Sequence, residues 1–198
     1  MYHEGAVLDA LEQAPRWSVA YWADRGTDAD SGTLLSLPSG SNRHLVVVDD
    51  DFVTHLGQQY PREELAALLR QVQSQADEEV LATDQVRRTR DLLLQAWSSH
   101  PGDGKAGMWS FPRGGFVRWF RDDDLHVEVS EGGTYEHPMP QDLVRILVDL
   151  GWNPPNDQFR NCWLQPGDGD QLSAATTAVL TPFAAFGCQS PPPLDPIP

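Results

Sequence analysis

Two different periods of apolar residues occur in this chain, and neither lasts long. In Leu125–Val129 the apolar Leu125, Val127 and Val129 alternate with His126 and Glu128, the period of a strand with one face in a core and the other in water. Leu65, Leu68, Leu69 and Val72 instead follow helical spacing and form one buried stripe. Segments of both kinds recur, each interrupted by proline, glycine or a charged turn. Such a pattern predicts a chain of short amphipathic helices and half-buried strands. Unbroken apolar runs, such as Leu45–Val48 and Ala178–Leu180, are only a few residues long. A bilayer span needs about 20, so no membrane segment is expected.

The order of elements follows from the same reading. A short helix is expected over Gly5–Ala14, ended by Pro15, followed by strands at Trp17–Trp22, Thr33–Leu37 and Leu45–Val48 separated by RGTDADSG and PSGSNR. Pro61 is a favourable first helical residue, so a helix is expected from there to about Ala76. Thr83 and Asp84 then cap a helix carrying Val86, Leu92, Leu93, Leu94 and Trp97, broken by SSHPGDGKAG. Strands follow at Met108–Phe111, Gly115–Phe120 and Leu125–Val129, then a helix at Gln141–Leu150 burying Leu143, Ile146, Leu147 and Leu150. After Pro154 and Pro155, a strand at Phe159–Leu164 and a helix at Gln171–Phe186, kinked or shortened by Pro182, complete the list. Both halves thus read helix, three strands, helix. That suggests two similar αβββα halves, residues 1–79 and 80–188, joined near Asp77–Leu81, and a proline-rich tail over 189–198 that is extended or mobile.

Charge narrows the functional classes. Lys plus Arg number 14 and Asp plus Glu 29, a formal charge of −15, and the only lysine is Lys105. Nucleic acid needs a basic patch that releases counterions, so a nucleic-acid partner is not expected. The N-terminus shows no basic region followed by a long apolar core, which makes a cytoplasmic location the default expectation. Cys162 and Cys188 are too few for a disulfide scaffold or a four-thiolate zinc site and read as reduced, partly buried thiols.

Enzyme-like strings are present only in outline. Acids at the end of an apolar strand, as in Val46–Phe52 (VVVDDDF), can hold magnesium or accept a phosphoryl group. The string resembles the aspartate motif of haloacid-dehalogenase-type phosphatases but lacks its small turn residue and threonine, and no Rossmann-like alternation surrounds it. A solvated acidic turn is the expected reading, and a hairpin turn is expected at Asp122–Asp124. The segment HPGDGKAG has Ser99 where a phosphate-binding loop needs its first glycine and Ala106 where it needs a hydroxyl. The six histidines form no helical metal-ligand pair, and there is no G-x-S-x-G elbow. His126 and Glu128 share a strand face, where a hydrated pair is expected. No catalytic residue, metal site or cofactor is expected.

The most specific stretch is Gly114–Trp163. Its strings GGFVRWF, LHVEVS, LVRILVDLGWNPP and NCWL resemble the actinobacterial TY-Chap domains, relatives of the YbjN family and of type III secretion chaperones. The matching features are the aromatic strand, the strand ending near Glu128–Ser130, the helix closing in Leu150, Gly151 and Trp152, the Pro154–Pro155 pair, and Asn161. The resemblance covers the second half of the chain and implies an α+β fold, helices packed on a curved antiparallel sheet, in a secretion-chaperone-like adaptor.

The expected function is therefore a non-enzymatic, chaperone-like protein that holds a segment of a partner protein, with a homodimer left open. The alternative is an immunity or inhibitor protein that neutralises a basic toxin or nuclease, to which the charge would steer it. Phe116, Arg118 and Phe120 lie on one strand face, Val117 and Trp119 on the other. Whichever face is exposed, together with Trp109, is the candidate contact surface, so the site set is Trp109, Phe116, Arg118, Trp119 and Phe120.

Overall fold

A computed structural model describes residues 3–22, 32–40, 42–49, 51–100, 102, 105–131, 138–167 and 169–194, and the side chains of all these except 3, 4, 21, 22 and 113. The chain divides into two compact units, Met1–Glu79 and Val80–Pro198. Helices and two antiparallel sheets make up an α+β architecture, and the sheets are not closed.

In the first unit, α1 (His3–Gln13) precedes five strands: β1 (Ser18–Trp22), β2 (Thr33–Ser39), β3 (Asn42–Val48), β4 (Phe52–His55) and β5 (Gln58–Pro61). They pair in chain order, each antiparallel to the next. A 3₁₀ turn at Arg62–Glu64 leads into α2 (Leu65–Leu81). Register places Leu35 opposite Val46 and Val48 opposite Val53, so one sheet face is aliphatic. Onto that face pack Val7, Ala10 and Ala14 of the first helical segment and Leu65, Leu69, Val72 and Ala76 of α2, one continuous core. Trp17 joins it and donates its indole N–H to the Leu69 carbonyl at 3.1 Å. Arg16 closes the corner, its guanidinium forked onto both carboxylate oxygens of Asp77 at 2.7 Å each.

Three expectations are corrected here. The first unit has five strands rather than three among its described residues, because Phe52–His55 and Gln58–Pro61 form a hairpin around Leu56 and Gly57, at φ 49° and 78°. Two successive positive φ values match the right-handed twist of the flanking strands. Pro61 consequently ends a strand instead of opening a helix. The join expected near Asp77–Leu81 is helical: α2 runs through it to Leu81, with Ala76 buried in the core of the first unit and Val80 in that of the second.

The second unit begins its regular structure with α3 (Asp84–Ser98), whose N-cap Thr83 accepts the Val86 N–H. Its sheet has the order β6 (Gly107–Ser110), β7 (Phe116–Arg121), β8 (Leu125–Ser130) and β9 (Cys162–Leu164), all antiparallel. Between β8 and β9 lies α4 (Gln141–Asp149), and α5 (Gln171–Ala184) follows. The order is thus helix, three strands, helix, strand, helix, and it does not repeat that of the first unit. Trp109, Val117, Trp119, Leu125, Val127, Val129 and Cys162 point into one core with Leu93 and Trp97 of α3, Leu147 of α4 and Ala175, Val179 and Phe183 of α5. Of the four α4 positions expected inside, only Leu147 is fully buried. Pro182 lies within α5 and does not end it.

No described helix is long and apolar enough to cross a membrane. Both cysteines are buried, and burial pushes the Cys162 thiol up to about 11. Residues 189–194 are not loose: Pro191 and Pro192 are buried, and Leu194 packs against the core.

Candidate functional site

The string LGWNPPN builds the surface of interest. Gly151, at φ 105°, ends α4 in a Schellman arrangement, with its N–H on the Val148 carbonyl and that of Trp152 on the Leu147 carbonyl, both at 3.0 Å. Trp152 then turns inward and donates its indole N–H to Thr181 Oγ1 of α5 at 3.0 Å. Asn153 exchanges both backbone hydrogen bonds with Trp163, and the Trp163 indole N–H donates to the Pro154 carbonyl at 3.1 Å. The Asn156 side chain accepts the N–H groups of Gln158 and Phe159 and folds the loop back. The result fixes Phe159, Asn161 and Trp163 beside β8.

Register places Met108, Arg118, Glu128 and Trp163 in one row across all four strands, on the face away from the helices. Arg118 Nη2 donates to Glu128 Oε2 at 2.6 Å, and Asn161 Nδ2 donates to the same oxygen at 2.9 Å. Glu128 is only 6% exposed although it lies on the outer face. Beside this polar row runs a stack of rings: Phe120 on His126 at 5.1 Å, His126 to Phe159 at 5.8 Å, Phe159 on Trp163 at 4.7 Å. The Arg118 guanidinium lies 6.0 Å from the Phe120 ring centre. All four rings are half-buried, and Met108 is 56% exposed.

Of the expected contact residues, the structure brings Phe116, Arg118 and Phe120 together on this outer face. Trp109 and Trp119 are removed from it. Trp109 pairs with Val117 on the core side and is 1% exposed, while Trp119 is fully buried and its indole covers Gly107, where a Cβ would meet the ring at 2.2 Å. The physical reason is the strict alternation of side chains along a strand: once the helices claim Val117, Trp119 must follow it inward. The outer face of β8 is not simply in water either. Glu128 is bound by Arg118 and Asn161 rather than hydrated with His126, and Ser130 is also buried. Glu128, His126, Phe159, Asn161, Trp163 and Met108 complete the surface and were not in the expected set. The alternation of His126 and Glu128 with the aliphatic Leu125, Val127 and Val129 in β8 was the available signal for the first two.

The first unit also has an outer sheet face. There Leu34 and Val47 are paired, Val47 opposes Thr54, and Ser36 opposes Leu45; Leu45 is 44% exposed and Val47 37%. Phe52 and Leu56, on the β4–β5 hairpin, are 46% and 89% exposed.

The enzyme-like strings resolve into turns where they are described. Asp49 donates its N–H to the Phe52 carbonyl at 2.9 Å and Asp51 is exposed, while Asp50 lies outside the described residues. Asp122 and Asp124 close the β7–β8 hairpin. In HPGDGKAG, Pro101, Asp103 and Gly104 lie outside the described residues, as do His137, residues 25–31 of RGTDADSG and the tail end 195–198. Among the described residues no group of three His, Cys, Asp or Glu side chains is placed to hold a metal ion. Compared with protein-family models, with curated proteins and with solved structures, the chain gives no match.

Proposed function

We propose that this chain is a cytoplasmic, non-enzymatic binding protein related to the TY-Chap and YbjN domains, which holds an extended segment of a partner protein on the outer face of its second sheet. The observation that carries the reading is the arrangement of that face. An Arg118–Glu128–Asn161 cluster lies beside a stack of partly exposed rings, and both Arg and aromatic residues are enriched where interfaces concentrate their energy. The carboxylate is already engaged by two donors, so the face offers fixed shape and apolar area instead of a free acid or base. The LGWNPPN string, on which the resemblance rests, is the element that delivers Phe159, Asn161 and Trp163 to this face.

Retention of a reduced, permanently unfolded reporter protein tests the reading. The parent chain should suppress aggregation of the reporter, and the Phe120→Ala, Phe159→Ala double variant should lose most of that effect while keeping its melting midpoint within a few degrees. Failure of the parent, or full retention by the variant, removes the outer face from the function.

The charge of −15 favours the rival reading, an immunity protein for a basic toxin or nuclease. Steering by charge is screened over about 8–10 Å at 0.10–0.15 M salt, so a tenfold fall in on-rate between low and physiological salt selects the rival. Salt-insensitive affinity with a negative heat-capacity change selects the chaperone-like reading.

A further inference from the structure

The tail Gln189–Leu194 lies on an aromatic surface at the other side of the same sheet. Trp109, on edge strand β6, donates its indole N–H to the Pro192 carbonyl at 3.2 Å in a buried setting. Its ring stands edge-on to Phe111, with centres 4.9 Å apart and planes at 87°, and Phe111 meets Phe186, just beyond α5, at 5.2 Å. Phe186 is held in place from below by Gly115, where a Cβ would come within 2.4 Å of the ring. Trp109, Phe111 and Phe186 thus form one continuous run of rings, tied to the tail at the Pro192 carbonyl, and Pro191 and Pro192 are both buried.

The chemistry of the occupant is specific. Pro191, Pro192 and Pro193 have no backbone N–H, and each fixes φ near −65° while pushing its predecessor away from helix. Such a segment has only ring faces and carbonyl oxygens to offer, displayed on a polyproline II helix. An aromatic seat with one aimed indole N–H answers both features, and aromatic-lined grooves are a recurring way of holding proline-rich peptides. The tail also adds no ladder hydrogen bond through its prolines. The Cys188 N–H is tied to the Pro182 carbonyl at 2.9 Å, and among the described residues beyond it there is no strand or helix, so that stretch can leave the seat without breaking a strand pair or a helix.

We propose that the Trp109–Phe111–Phe186 seat is a binding site for proline-rich segments in the polyproline II conformation, and that the chain's own residues 190–194 occupy it as a built-in competitor. The site takes a proline-rich stretch of a partner protein once the tail is displaced. It lies on the core side of the sheet and does not depend on the outer-face reading above. A seat filled by its own tail binds an external ligand with an affinity reduced by the fraction of time it stands open.

The test uses the full-length chain with Pro191→Gly, Pro192→Gly and Pro193→Gly together, which keeps the length but removes the polyproline bias. The probe is a fluorescein-labelled proline decamer, read by anisotropy. The loosened chain should bind the decamer at least tenfold more tightly than the parent. Adding Trp109→Phe, which keeps a ring but removes the N–H, should weaken binding about fivefold or more. A peptide of the chain's own tail, QSPPPLDPIP, separates recognition from simple refilling of a core. If the loosened chain binds its own tail but not the decamer, or binds neither, the proposal is wrong. If loosening lowers the melting midpoint, saturating decamer should restore it, and a midpoint that the decamer leaves unchanged also overturns the proposal.

Discussion

Each unit contains an arginine bound to a carboxylate, and the two pairs sit in opposite kinds of place. In the first, Arg16 follows α1 and forks onto Asp77 of α2, with the arginine side chain 2% exposed, so the pair ties a helix-to-strand corner to the helix that covers the sheet. In the second, Arg118 and Glu128 are cross-strand neighbours on the outer face, and the exposures are reversed, 30% for the arginine and 8% for the carboxylate. The same chemistry therefore closes a fold in one unit and builds a surface in the other. Burial of the arginine marks the structural pair; burial of the carboxylate beneath a reachable arginine and a row of rings marks the presented one.

The tryptophans extend the contrast and give the largest expected effect. Trp17 and Trp152 are both buried and pin helices through their indole N–H groups, to Leu69 and Thr181. Trp152→Ala should cost on the order of 3–5 kcal/mol in urea unfolding, the range for deleting a buried large ring. It should also shift Phe159 and Trp163, because the Schellman end of α4 and the return to β9 share that residue. A variant that keeps its stability but loses reporter retention would make Trp152 a contact residue instead of an anchor.

Asp77→Ala comes next. It leaves the Arg16 guanidinium buried without the carboxylate it forks onto, and breaking a buried pair from one side costs about 3 kcal/mol or more. Reporter retention, scaled to the folded fraction, should not change. Glu128→Gln is smaller in stability, about 2 kcal/mol, since it removes the charge from two hydrogen bonds while leaving an acceptor of similar shape. Here retention should fall beyond what the folded fraction explains. Equal behaviour of the two variants would erase the distinction between a structural and a presented pair, and both are checked by the same denaturation and aggregation measurements.

Local periodicity disclosed most of this architecture, and its failures have physical causes. The helical stripe at Leu65–Val72 and the alternation at Leu125–Val129 were readable because burial on one side imposes a fixed period. The β4–β5 hairpin was hidden by Leu56, an apolar residue in the left-handed region, where turn chemistry favours asparagine or glycine. The acids Asp77–Glu79 suggested a linker because the exposed side of a helix and a loop have similar composition, and only the apolar Ala76 and Val80, each buried in a different core, mark the helix on either side of them. At the candidate surface, the alternation of Phe116, Arg118 and Phe120 with Val117 and Trp119 was visible, but which set faces out depended on where the helices pack. Asn161 and Trp163 reach Glu128 through a pairing 33 or more residues distant, and no local pattern encodes such a meeting. The tail was expected to be extended or mobile; over 189–194 it carries neither helix nor strand, and what no local pattern encodes is that the distant Trp109 donates to its Pro192 carbonyl.

The smallest expected effect concerns the acidic turn, where the comparison predicts almost nothing. Asp49 and Asp51 follow β3 in the first unit and make none of the contacts that give Asp77 or Glu128 their value: Asp51 is exposed, and Asp49 is held by its backbone N–H on Phe52. The Asp49 side chain lies beside Gly32, where a Cβ would come within 2.9 Å of Oδ1. Asparagine has nearly the same shape. Asp49→Asn with Asp51→Asn should therefore change unfolding free energy by less than about 0.5 kcal/mol, as for surface substitutions that remove no buried partner. Reporter retention should be unchanged as well. The informative control is magnesium: a ligand that binds only the folded chain raises its melting midpoint in proportion to the logarithm of its concentration. If millimolar magnesium stabilises the parent and that gain vanishes in the double variant, the acidic turn is a metal site and the non-enzymatic reading fails; a midpoint indifferent to magnesium in both chains leaves these acids as solvated turn residues.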